Sequence, residues 1–68
     1  MPDLGVVITM LKLLARALGF SQTDVDSFTV PLEKYLELLE PHRFWIEVDL
    51  IIGGLLEGEL PNFEQVIA

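Results

Sequence analysis

Apolar residues recur along this chain at the helical repeat, and the first run is nearly continuous. Between residues 4 and 18 only Gly5, Thr9, Lys12 and Arg16 interrupt a series of Leu, Val, Ile, Met and Ala. At 100° per residue those four fall within about 60° of one another, so a helix here has a narrow polar stripe and is apolar around the rest of its circumference. Asp3 is placed to cap its start, and Gly19 to end it in the left-handed conformation. A monomer's surface helix carries a narrower apolar stripe than this, so the helix is expected to be either central or shared between subunits.

The next elements are predicted from cap and breaker signals. Ser21-Gln22-Thr23-Asp24 has capping-box spacing, with Asp in place of Glu or Gln, and opens a short helix over 22–28. Thr29 offers a second cap ahead of Val30-Pro31, and proline suits a first helical turn. In the helix predicted over 30–40, Leu32, Tyr35, Leu36 and Leu39 share one face and Glu33, Lys34, Glu37 and Glu40 the other. Pro41 ends it by excluding the helical region for the residue before it.

Residues 42–56 admit two readings. Phe44, Ile46, Val48, Leu50 and Ile52 alternate as a half-buried strand would, with Gly53-Gly54 as the hairpin turn. On a helical wheel, however, Ile51, Phe44, Leu55, Val48, Ile52, Trp45 and Leu56 fill one unbroken arc of about 140°, with Arg43, Glu47 and Asp49 outside it. The run is also long for a strand, so helix is the preferred reading. Gly53-Gly54 then marks a close helix crossing or an early end. Gly58 to Pro61 reads as a loop, and Asn62 caps a last short helix over 62–67 that docks through Phe63, Val66 and Ile67. The expected fold is therefore all-α: one domain over 1–68, with main helices at 4–18, 30–40 and 42–56 and short ones near 22–28 and 62–67.

Composition makes association the expected completion of that bundle. A chain of 68 residues buries only about 60% of the surface its unfolded form exposes. Small domains supplement such cores with disulfides, metals, oligomerisation or dense packing. Cysteine is absent and His42 is the only histidine, which excludes disulfides, thiolate metal sites and a His-rich site within one chain. Hydrophobic residues make up 51% of the chain and its mean hydropathy is +0.50, yet no apolar run reaches the ~18 residues of a membrane span. No signal-peptide pattern stands at the start, where Asp3 precedes the apolar run, so the expected location is cytoplasmic. A net charge of −7 argues against nucleic acid and membrane surfaces as direct partners, and leaves a basic protein allowed.

Candidate chemistry is sparse. Glu33, Glu37 and Glu40, followed by Glu47 and Asp49, resemble the acidic helices of the all-helical nucleotide pyrophosphatases related to MazG; that resemblance implies magnesium held over a nucleotide phosphate. On a helix, however, Glu47 and Asp49 point about 160° apart, so the preferred reading is a solvated acidic face. Asp26-Ser27-Phe28 with the later Leu60-Pro61 resembles acyl and peptidyl carrier proteins, which implies phosphopantetheine on Ser27. Read from the residues alone, Ser27 and Thr29 cap backbone at a helix junction. With one histidine and no base near Ser21 or Ser27, no nucleophilic triad can be assembled. Catalytic, cofactor-binding and metal residues are accordingly expected to be none. The expected function is a homodimeric adapter or regulatory module, with an acidic nucleic-acid mimic as the alternative. Its expected interface is Val7, Leu11, Leu14, Leu18, Phe44, Trp45, Val48, Ile52 and Leu55.

Overall fold

The computed structural model describes residues 3–63. They form three helices, α1 (Leu4–Ala17), α2 (Gln22–Glu37) and α3 (Pro41–Leu56), with no strand among the described residues. The helix reading of the third segment holds and the hairpin does not. One helix lets fifteen-odd residues satisfy their own backbone groups while presenting Phe44, Val48 and Leu55 to a single core.

The caps explain where the helices begin and stop. The Asp3 carboxylate accepts from the Val6 amide at 3.3 Å, and the Ser21 hydroxyl accepts from the Asp24 amide at 3.1 Å. Pro41 opens α3 in its first turn. At the end of α1, Gly19 has φ +101°, the Phe20 amide reaches the Ala15 carbonyl and the Gly19 amide that of Arg16, both at 3.0 Å. The same paired closure recurs at Gly58, φ +84°, where the Glu59 amide reaches Gly54 at 2.8 Å and that of Gly58 reaches Leu55 at 3.0 Å. Both are Schellman endings, in which a left-handed glycine lets the chain turn back onto otherwise unpaired carbonyls.

Two sequence expectations are corrected here. The short helix over 22–28 and the main helix over 30–40 are one continuous element with Pro31 inside it. Thr29 is not a cap; its hydroxyl donates to the Val25 carbonyl one turn back, at 2.8 Å. Proline removes one helical hydrogen bond and costs about 3 kcal/mol in a helix interior. Burial of Val25, Phe28, Leu32 and Leu36 along one face outweighs that local cost. The second correction concerns Gly53-Gly54. Nothing lies within 4 Å of a Cβ placed on Gly53, and Gly54 meets only the returning Glu59 carbonyl at 3.9 Å, so the pair marks no helix crossing. Of the helix expected over 62–67, Asn62 and Phe63 are not helical, and 64–68 lie outside the described residues.

The core combines Val7, Ile8, Leu11 and Ala15 of α1 with Val25, Phe28, Leu32 and Leu36 of α2 and Phe44, Val48 and Leu55 of α3. Phe63 closes it from the C-terminal side, its ring stacked on Tyr35 with centroids 4.8 Å apart. α1 and α2 are the closest helix pair. α3 stands further off, and an open furrow runs along each of its flanks.

Candidate interaction surface

The furrow between α1 and α3 is a groove of about 390 Å³ lined by Val7, Met10, Leu11, Leu14, Trp45, Val48, Asp49 and Ile52. Asp49 is its only charged residue. Its floor is core; its walls are Met10, 63% exposed, and Trp45, 56% exposed. The Phe44 ring inside the core meets the Trp45 ring outside it edge to face, centroids 5.1 Å apart. Beside the groove rises a ridge on α1 formed by Val6, Met10, Leu13 and Ala17, all exposed. Their 4-3-4 spacing places them in one line along the helix, about 150° around from the core line of Leu4, Leu11 and Ala15. α1 is therefore apolar on two sides, one facing its own core and one facing outward.

This arrangement sorts the nine expected interface residues. Val7, Leu11, Phe44, Val48 and Leu55 are buried within a single chain, where the shared core already removes them from water. Leu14 and Ile52 are half-buried at the groove, while Leu18 and Trp45 remain exposed. The outward ridge of Val6, Met10, Leu13 and Ala17 was absent from that expectation. Its signal was the 4-3-4 spacing, but an almost wholly apolar circumference does not say which line faces inward.

The second furrow, between α3 and the returning segment, has a volume of about 260 Å³ and is lined by Tyr35, Glu47, Leu50, Ile51, Gly54 and residues 59–63. The Tyr35 hydroxyl donates to Glu47 Oε1, and Arg43 approaches the same oxygen at 3.9 Å. That hydrogen bond, then burial and the neighbouring negative charge, raise the Tyr35 pKa above its ordinary value, with Arg43 opposing. Glu47 Oε2 has no donor and is sealed from solvent. A molecule in the furrow therefore cannot reach it, and the pair acts as a structural clamp between α2 and α3.

The chemistry suggested by resemblance finds the following geometry. Asp26, Glu33 and Glu37 share the outer face of α2, whereas Glu40 lies beyond that helix and pairs with exposed His42 at 3.4 Å. Glu47 is committed to Tyr35, and Asp49 faces the opposite flank of α3 at the groove. Among the described residues no three acidic or histidine side chains are placed to hold a metal ion. Ser27 sits in the second turn of α2 rather than at a helix opening, with its hydroxyl donating to the Asp24 carbonyl at 2.7 Å. No helix among the described residues is long and apolar enough to cross a membrane. Compared with protein-family models, with curated proteins and with solved structures, the chain matches none.

Proposed function

We propose that this chain is a non-catalytic helical interaction module that works as a cytoplasmic homodimer, joined through the ridge of α1 and the groove beside α3. The observation that carries this reading is the position of the leftover apolar surface. One copy already closes a core over all three helices, with a Cα radius of gyration of 11.2 Å, close to the ~11 Å that its length requires. Even so, Val6, Met10, Leu13 and Trp45 stay more than half exposed along one face. Burying that face releases ordered water at about 25 cal/mol per Å² of apolar surface. A second copy is the partner always present, and a twofold pairing covers the same face on both chains at once.

The acidic outer face of α2, with Asp26, Glu33 and Glu37, favours a second reading in which the dimer presents carboxylates to a basic protein, as a nucleic-acid mimic does. That partner would be captured from extract at low salt and released at high salt. Light scattering coupled to size-exclusion chromatography over a hundredfold concentration range tests the primary reading. A mass of twice 7.7 kDa supports it, and a monomer throughout removes it.

A further inference from the structure

We infer that residues 58–63 form a latch that opens on its own while the three helices stay packed, turning about Gly58 and lifting Phe63 from Tyr35. The segment is fastened at two places. At its start the Gly58 and Glu59 amides close on the Leu55 and Gly54 carbonyls at 3.0 and 2.8 Å, and Gly58 holds the left-handed φ of +84° that lets the chain reverse. At its far end Phe63 is 7% exposed and stacks on the Tyr35 ring. Between these fastenings it does not lie flat on α3. The furrow of about 260 Å³ separates residues 59–63 from Leu50, Ile51 and Gly54, and Leu60 beside it is 39% exposed. The shut latch therefore gains chiefly the burial of one aromatic side chain and one ring stack, and the ordering of the segment opposes both.

Glu47 adds a second reason to open. Its Oε1 accepts from the Tyr35 hydroxyl, but Oε2 is cut off from water and has no donor. A carboxylate oxygen in that position has lost its hydration without a replacement. Phe63 lies against the same tyrosine and lines the same furrow as Glu47, so lifting it lets water in beside the carboxylate, and the hollow is large enough to hold that water. The bond from Tyr35 to Oε1 persists meanwhile, and the clamp between α2 and α3 survives the opening. Nor does the last turn of α3 pin the segment down. A Cβ on Gly53 would meet nothing within 4 Å, and one on Gly54 only the Glu59 carbonyl at 3.9 Å. Leu55, 1% exposed, precedes the hinge and stays in the core.

Hydrogen exchange across a range of low urea concentrations tests this inference. The Gly58 and Glu59 amides report the latch, and those of Leu11 and Leu36, inside α1 and α2, report unfolding of the whole bundle and verify that each variant is folded. After correction for intrinsic rates, the latch amides should exchange at least about a hundredfold faster than the core amides, at rates that urea leaves unchanged, because the opening exposes little surface. Glu47→Gln keeps an acceptor for Tyr35 and replaces the charged, unpaired oxygen by a neutral amide, so latch exchange should slow about tenfold. Latch amides that share the urea dependence of Leu11 and Leu36 would overturn the inference, since the segment would then leave only with the whole bundle. Unchanged or faster latch exchange in Glu47→Gln would overturn it as well.

Discussion

Leu11 and Leu13 stand two residues apart on α1 and separate folding from association. Leu11 is 2% exposed and Leu13 65%, and alanine matches leucine closely in helix propensity, so truncating either leaves the helix itself undisturbed. Leu11→Ala opens a cavity in the core at a cost of about 2–5 kcal/mol. A chain of this length has a total stability of roughly 3–10 kcal/mol. Its melting temperature should therefore fall by at least about 8 °C. Leu13→Ala removes only surface that is wet in one copy, and the dilute monomer should melt as the unmodified chain does. In the dimer, burying the exposed two-thirds of a leucine contributes about 1–2 kcal/mol per copy. The two symmetric copies double this, and alanine retains part of it, so a loss of about 1.4–2.8 kcal/mol corresponds to a ten- to hundredfold weaker Kd. Sedimentation equilibrium measures that Kd, and calorimetry at low concentration measures the melting. An unchanged dissociation constant for Leu13→Ala, or a loss of monomer stability matching that of Leu11→Ala, would refute the reasoning.

Further expectations concern the frame that supports this face. Tyr35→Phe leaves the half-buried Glu47 carboxylate without its hydroxyl donor and should destabilise the chain by roughly 1–3 kcal/mol in urea titrations. Because folding raises the Tyr35 pKa above 10.0, its contribution is complete below about pH 10 and is lost as pH rises through the folded value; equal alkaline losses in Tyr35→Phe and the parent would contradict this. Phe63→Ala should cost about 3 kcal/mol and expose the Glu59 amide, bonded to Gly54, to faster hydrogen exchange; unchanged exchange would show that Phe63 does not anchor the segment. Pro31→Ala restores a helical donor and should raise stability by about 1–2 kcal/mol, so a lower melting temperature would count against the account of α2. Gly53→Ala, at an open helical position, should add about 0.5–1 kcal/mol, and a loss on calorimetry would indicate a neighbour at that site.

How far the sequence discloses this molecule depends on whether the information is local. Asp3 and Ser21 mark helix starts through their side chains, and Gly19 and Pro41 mark helix ends through their own backbone, and each does so in the structure. Pro31 and Thr29 mislead for the same reason, because their local preference for a helix start is overruled by the shared apolar face of Val25, Phe28, Leu32 and Leu36. The apolar excess on α1 is visible as a wheel pattern, but its division into an inward line through Leu11 and an outward ridge through Leu13 depends on where α2 packs. The Tyr35–Glu47 clamp spans twelve residues between helices and has no periodic signature. Glu40 belongs to the acidic stripe only for a helix that runs to 40, whereas α2 ends at Glu37, and because α2 begins at Gln22 its outer face takes in Asp26.

The middle of α2 bears on the order in which the molecule assembles. Ser27 and Thr29 turn their hydroxyls back onto the Asp24 and Val25 carbonyls, and Pro31 two residues later withholds an amide, so three neighbouring positions weaken propagation through that stretch. A peptide of α2 alone would have little reason to be helical there. Its centre is held by Phe28 and Leu32, which gain by burial only after α1 and α3 have begun to enclose them. Secondary and tertiary structure must then form in the same kinetic step, with the centre of α2 among the last parts to consolidate. Folding would be a concerted condensation around α1 rather than the docking of three finished helices.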